Sequence, residues 1–293
     1  MTGGTVAEFA ELGRANGVVL RAAGTGPPVV LFPGMEGSGQ SCLHLAAPVV
    51  LAPHGPAAGR LLLVDYAAER HRFLGELVDT VAGLLTEHLD GDLPVTWWGQ
   101  SFGNLLLVHT EQRLTVPTRA RVLVSPFTGL PDVLTVPARA ALTLTLPVLY
   151  RGVTPPVARW VFGPMPRGTG DDFVAALAGM SPADVARRTG WLVGRDHAGA
   201  FLAPDLPCGV WLGELDRLVD LPRQSAFFAA LTRHGGRLTA VPGAGHVATP
   251  PAAVALVRQG VEEWISSASA APRTRPVATA RASSPRDRTP SLR

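Results

Sequence analysis

Residues 95–108 read VTWWGQSFGNLLLV, with Ser101 held between Gly99 and Gly103. The pattern G-x-S-x-G follows a predicted strand and opens a predicted helix. In that setting a serine sits on a sharp, strained turn that lifts its hydroxyl above a sheet, where it can act as a nucleophile. Small neighbours are needed because the backbone folds back too closely for Cβ atoms. With 32 glycines in the chain the pattern can also arise by chance. The strand–turn–helix setting is what gives it weight.

A serine hydroxyl is a weak nucleophile until a base takes its proton. Of eight histidines, His246 lies in VPGAGHVATP, past the last predicted strand and on a glycine-rich loop. His71, His88, His109 and His234 fall within or at the ends of helical patterns and read as ordinary helix residues. None forms H-x-x-x-H, so no metal site is expected. The base needs a carboxylate to hold its tautomer and stabilise the imidazolium. Asp216, in WLGELDRLVDL, falls in the loop leaving a predicted strand. Asp220, just before a helix, reads as a cap, and Asp65, ending an earlier strand, is a weaker candidate.

The fourth feature is VVLFPGMEGSGQ, where a strand ends at Phe32 and Gly34, Gly37 and Gly39 keep the following loop open. Its order is G-x-x-G-x-G, neither the dinucleotide fingerprint nor a phosphate loop. An oxyanion hole fits better, with the Met35 and Phe102 backbone N–H groups converging on developing negative charge. The Met35 side chain then lines the acyl pocket. Glu36 reads as a loop or helix-start carboxylate rather than a catalytic acid.

These residues need a scaffold. Strands are expected at Val18–Leu20, Pro28–Phe32, Leu61–Asp65, Val95–Trp98, Arg121–Ser125, Cys208–Leu212 and Leu238–Val241. Helical patterns run over Phe73–Leu89, Asn104–Arg113, Pro222–Arg233 and Ala252–Ile265. Thr249-Pro250 suits an N-cap with proline at the first helical position, and Gly235-Gly236 suits a helix stop. Continuous apolar strands alternating with helices imply an α/β fold with a mostly parallel sheet buried on both faces.

The alternation breaks at Pro126 and resumes near Leu206. Ten prolines in that interval exclude further strand–helix units. A helix is expected there from Ser181-Pro182-Ala183-Asp184. We therefore expect a core of 1–125 and 206–266, a helical lid of 126–205, and a disordered Arg/Ser/Pro-rich tail of 267–293. In the insertion, Leu142, Leu144, Leu146, Val148, Leu149, Trp160, Val161 and Phe162 form an apolar set. Leu146, Leu149 and Trp160 are the candidates to bind substrate, although packing the lid onto the core would explain them equally well.

The hydrophobic content of 46% supplies a packed core. All basic charge is arginine, and the tail from 271 carries six Arg against one Asp. The body is then 20 Arg against 22 acids, near −2, which argues against nucleic-acid binding. Cys42 and Cys208 have no zinc or redox spacing and read as buried free thiols. No basic start precedes an apolar run at the N-terminus, and no stretch reaches the ~18 apolar residues of a membrane span. A cytoplasmic protein without stable membrane insertion is expected. The partner of the tail is unknown, an acidic protein or anionic membrane being the candidates.

Over 16–266 the chain resembles the α/β-hydrolase family. It looks most like the serine esterase/acyltransferase branch whose oxyanion loop reads P-G-M-(D/E)-G-(T/S)-G. The stretches that carry this are Phe32-Pro-Gly-Met-Glu-Gly-Ser-Gly39, Gly99-Gln-Ser-Phe-Gly103, the G-x-x-D-R-L-V segment with Asp216, and Gly-Ala-Gly-His246. The order Ser101, Asp216, His246 is the order of that family. Pro33 replaces the histidine common in the wider family, and Glu36 replaces Asp. The resemblance implies a Ser nucleophile, His base and Asp orienter, no cofactor, and a variable lid. The expected substrate is a small carboxylic ester or thioester. The alternatives are an acyltransferase or biosynthetic thioesterase using the same triad, and a non-catalytic ligand-binding protein on this scaffold.

Overall fold

A computed structural model describes residues 8–39, 41–55, 57–129, 155–156, 159–160, 162–164, 169–192, 194–202, 206–233 and 235–269. In chain order the elements are β1 (Ala10–Ala15), β2 (Val18–Ala23), β3 (Pro28–Phe32), α1 (Leu43–Val50), β4 (Arg60–Asp65), α2 (Leu74–His88), β5 (Val95–Gln100), α3 (Phe102–Glu111) and β6 (Thr118–Val124). There follow α4 (Thr169–Gly179), α5 (Pro182–Gly190), α6 (Ala198–Phe201), β7 (Cys208–Gly213), α7 (Leu221–Leu231), β8 (Arg237–Val241) and α8 (Pro251–Ser269).

The eight strands form one sheet in the order β1-β2-β4-β3-β5-β6-β7-β8. β2 pairs antiparallel with β1 and β4, and every other pair is parallel. Because side chains alternate along a strand, the parallel strands divide their residues between two cores. Val30, Phe32, Trp97, Val210 and Leu212 pack on one face with α2, α3 and α7. Val29, Leu31, Trp98 and Trp211 pack on the other with α1 and α8.

β3 has β4 on one side and β5 on the other. The chain therefore crosses the sheet in opposite directions before and after β4, and a crevice opens at the carboxyl ends of β3 and β5. The loops after β3, β5, β7 and β8 carry Met35, Ser101, Asp216 and His246.

Three expectations are corrected. Thr249 is not the cap of the last helix: its hydroxyl donates to the Pro164 carbonyl at 3.1 Å, and α8 begins two residues later. That helix runs through Ser269, so residues 267–269 are helical rather than tail, and 270–293 lie outside the described residues. β1 and α1 were not expected. β1 joins β2 through Asn16 and Gly17, both at positive φ, the two-residue turn that Asn-Gly favours. α1 carries Pro48 inside an eight-residue helix, which hides its pattern.

Other punctuation is as read. Ser181 caps α5, accepting from the Asp184 N–H, with Pro182 at the first position. Asp220 caps α7 by accepting from the Arg223 N–H at 3.2 Å. Among the described residues no helix is long and apolar enough to cross a membrane. Cys42 and Cys208 are free and buried, and burial pushes the Cys208 thiol up to about 12.

Candidate active site

Ser101 links the end of β5 to the start of α3 at φ 53° and ψ −123°. A serine at positive φ is strained and persists only where its surroundings hold it. Here the Ser101 N–H donates to the Val124 carbonyl at 2.9 Å. The Asn104 side-chain amide donates to the Ser101 and Val124 carbonyls, both at 3.0 Å. The glycines are required by contact. A Cβ on Gly99 would meet the Asn104 Cα at 2.8 Å, and one on Gly103 would meet the Pro33 and Phe32 carbonyl oxygens at 2.1 and 2.2 Å. The start of α3 thus lies directly against the loop leaving β3.

The Ser101 hydroxyl is 2.7 Å from His246 Nε2, and His246 Nδ1 is 2.7 Å from Asp216 Oδ2. The His246 and Asp216 side chains are fully buried, while Ser101 keeps 9% of its exposure. A carboxylate only accepts, so Nδ1 donates to Asp216 and Nε2 is left to accept from serine. The second Asp216 oxygen accepts from the Leu218 N–H at 2.8 Å. The two loops are tied to each other as well, the Leu215 N–H donating to the Ala244 carbonyl at 2.8 Å.

His246 is gripped by the segment between β6 and β7. Its N–H donates to the Phe162 carbonyl at 2.7 Å. The rings of Phe162 and Phe127 lie 5.6 and 6.1 Å from the imidazole. Gln100 is fully buried, and its amide reaches the His246 carbonyl at 3.5 Å.

In the loop after β3, Met35 is half-buried against the core, and its N–H meets no acceptor among the described residues. Phe102 is the first residue of α3, where N–H groups have no intrahelical partner. Glu36 is a loop brace: Oε1 accepts from the Ser41 hydroxyl at 2.6 Å and the Ser41 N–H at 3.1 Å. Burial raises its carboxyl above the ordinary range, against the pull of those hydrogen bonds.

The remaining candidates fall elsewhere. Asp65 pairs with Arg21 at 3.3 Å and accepts from the Ala67 N–H. His71 contacts Glu69 and Thr80, and His109 contacts His197 at 3.2 Å. Trp160, expected in the acyl pocket, is 63% exposed, so its ring is not enclosed. Leu146 and Leu149 lie outside the described residues. No group of three or more His, Cys, Asp or Glu among the described residues could hold a metal.

No family model and no curated protein matches the chain. Solved structures do. Esterase RhEst1 from Rhodococcus sp. ECU1013 superposes with TM-score 0.66 at 20% identity, covering 88% of this chain and 98% of its own. An α/β hydrolase fold protein from Burkholderia ambifaria gives TM-score 0.64 at 20% identity, covering 86% and 98%. The enol-lactonase from Burkholderia xenovorans LB400 gives TM-score 0.65 at 18% identity, covering 88% and 99%.

The chain has the α/β-hydrolase fold. In that fold the residues that sequence reasoning passed over are Tyr66, Glu69 and Arg188, which brace the loop after β3 from 66–69 and from α5. Nothing near them in sequence signals this, since Glu69 and Arg188 are 119 positions apart.

Proposed function

We propose that this chain is a cofactor-independent serine hydrolase that cleaves a carboxylic ester or thioester. The observation that carries the reading is the unbroken chain Ser101 Oγ–His246 Nε2 and His246 Nδ1–Asp216 Oδ2, each step 2.7 Å. It stands on a turn whose strain serves to present that hydroxyl.

In this reading His246 takes the Ser101 proton as Oγ bonds to the substrate carbonyl carbon. The carbonyl electron pair moves to oxygen, and the Met35 and Phe102 N–H groups receive the oxyanion. Phe102 adds the positive end of the α3 dipole. Asp216 stabilises the imidazolium. The intermediate collapses, the bond to the alcohol or thiol breaks, and His246 gives the leaving group its proton. Water repeats the sequence on the acyl-enzyme, with His246 as base, and releases the acid and free Ser101.

The similarly folded esterase and enol-lactonase add support at the level of fold alone. The oxyanion loop with its Pro33-Gly-Met-Glu-Gly37 run is the feature that favours the esterase/acyltransferase branch. The rings of Phe127 and Phe162 beside the imidazole, with Met35 at the loop, suit an apolar acyl or alcohol group. In this reading the insertion is a lid, supported by its described residues Phe127 and Phe162, whose rings flank His246.

The test is hydrolysis of p-nitrophenyl esters from acetyl to octanoyl, with matching thioesters, by wild type and Ser101→Ala. Activity that rises with chain length and vanishes in the variant is expected. A steep fall with chain length would remove the apolar pocket, and activity retained without Ser101 would remove the mechanism.

A further inference from the structure

The loop after β3 is held by four of its carbonyls, by the Gly34 N–H, which donates to the Ser41 hydroxyl at 3.2 Å, and by the Glu36 side chain. The Tyr66 hydroxyl lies 2.5 Å from the Pro33 carbonyl oxygen and 2.6 Å from that of Gly34. The Gly34 carbonyl also accepts from the Gly37 N–H at 3.0 Å, and the Gly37 carbonyl accepts from the Tyr66 N–H at 2.9 Å. The Met35 carbonyl accepts from Arg188. Gly37 has φ +76°, and a Cβ there would meet the Ala67 nitrogen at 2.8 Å. The loop is therefore seated directly on the Tyr66–Ala67 backbone.

The peptide that matters is Gly34–Met35. A peptide unit is planar, with its C=O and N–H pointing in opposite directions. The single Tyr66 proton is shared between the Pro33 and Gly34 oxygens; with the Gly37 N–H it fixes the Gly34 oxygen and so aims the Met35 N–H the other way. The next peptide is pinned through its own oxygen by Arg188. Tyr66 and Arg188 are both fully buried.

Arg188 is built for this task. It is fully buried, and its rigid fork also donates from Nε to Glu69 at 2.9 Å and from a terminal nitrogen to the Tyr66 carbonyl at 2.8 Å. Its guanidinium sits 5.2 Å from the centre of the Tyr66 ring. Glu69 supplies the countercharge and is itself held by Arg187 at 2.8 Å and the His71 N–H at 2.8 Å. Burial drives the Tyr66 hydroxyl well above its ordinary value, so it keeps the proton it donates.

We infer that Tyr66 and Arg188 are positioning residues that together aim the Met35 N–H as an oxyanion donor. This makes α5, from the segment between β6 and β7, a working part of the site. The inference rests on the hydrolase reading above.

The experiment compares wild type with Tyr66→Phe, which deletes one oxygen and keeps the ring. A second variant, Arg188→Met with Glu69→Gln, removes the buried charge pair, and Arg187, which loses Glu69, keeps Asp184 at 2.8 Å. Each is measured for kcat and KM on a p-nitrophenyl ester, for inhibition by an alkyl trifluoromethyl ketone, and for thermal unfolding. That ketone forms a hemiketal with serine and so reports oxyanion binding directly.

We expect kcat to fall about 10-fold to 10²-fold, less than the 10²–10³ typical of losing a donor outright. KM should stay within about twofold, and the ketone should weaken by the same factor as kcat. A folded Tyr66→Phe protein with wild-type kcat and ketone affinity overturns the inference. If that variant does not fold, the double variant decides on the same criteria. Wild-type activity that survives Ser101→Ala would instead bring down the hydrolase reading, and this inference with it.

Discussion

The His246 N–H donates to the Phe162 carbonyl at 2.7 Å, so the proposed base is held in place by the segment between β6 and β7. Beside it Gly245 leaves no room: a Cβ would stand 1.9 Å from the Phe162 oxygen and 2.8 Å from the Gly163 Cα. Gly213 closes the far side, where a Cβ would meet the Gly245 oxygen at 2.0 Å. Gly245→Ala therefore forces a shift between the Gly245–His246 and Phe162–Gly163 backbones, which carry the hydrogen bond that holds His246. A misplacement of about 1 Å can cost on the order of 10² in rate, and that loss in kcat is expected, with circular dichroism unchanged. Wild-type kcat would mean the histidine loop is not clamped.

Two glycines should behave in opposite ways. At Gly103 an added Cβ meets backbone oxygens of Phe32 and Pro33, which cannot rotate aside. Gly103→Ala should lower stability by at least ~2 kcal/mol, the scale of overpacking a dense site, as read from urea unfolding. Gly83 lies exposed within α2 with nothing within 4 Å of a Cβ. Gly83→Ala should raise stability by about 0.5–1 kcal/mol.

Arg188 and Arg187 both reach Glu69, but the Arg188 side chain is fully buried while Arg187 keeps 20% of its exposure. Removing one partner of a buried pair typically costs ~3–5 kcal/mol. Arg188→Met alone should approach that, and Arg187→Met should cost clearly less. Equal losses in urea unfolding would contradict the assignment of Arg188 as the inner partner.

Acid should destabilise the protein in two steps. Burial, then the neighbouring His197 and Arg113, lowers His109 from 6.5 to about 4. Between those values the unfolded chain binds a proton that the folded chain does not, so stability falls as pH falls through that window. For Glu69 burial acts upward, but Arg188 and Arg187 outweigh it and hold the carboxyl below its ordinary 4.5. Its contribution is present above 4.5 and is lost as pH falls through the lower folded value. His109→Gln should lessen the change between pH 6.5 and 4, to which His44 and His197, also lowered by burial, still contribute, and leave the more acidic step. An unchanged profile would remove His109 as its cause.

What could be read from sequence was local. A turn such as Gly99–Gly103 declares itself because glycine and strain are needed within five residues. Asp216 and His246 stood out because each follows a short apolar strand on a loop. β1 was passed over although Asn16-Gly17 is a hairpin signal, since AELGRA lacks clean alternation. α1 was hidden by Pro48. The Tyr66–Arg188–Glu69 brace was out of reach for a different reason. An arginine in Val185-Ala-Arg-Arg-Thr189 looks like any solvated helix residue until the fold brings it against the loop after β3. The apolarity of Trp160 in the sequence says nothing of the direction its ring takes.

The most direct measurement of the central claim is intact-mass labelling with a fluorophosphonate, which requires no choice of substrate. Wild type should gain one adduct rapidly, Ser101→Ala none, and His246→Ala far less at the same time point. Labelling that persists in Ser101→Ala, or a wild-type protein that stays unlabelled after mild detergent has loosened the segment between β6 and β7, would contradict an activated serine at this turn.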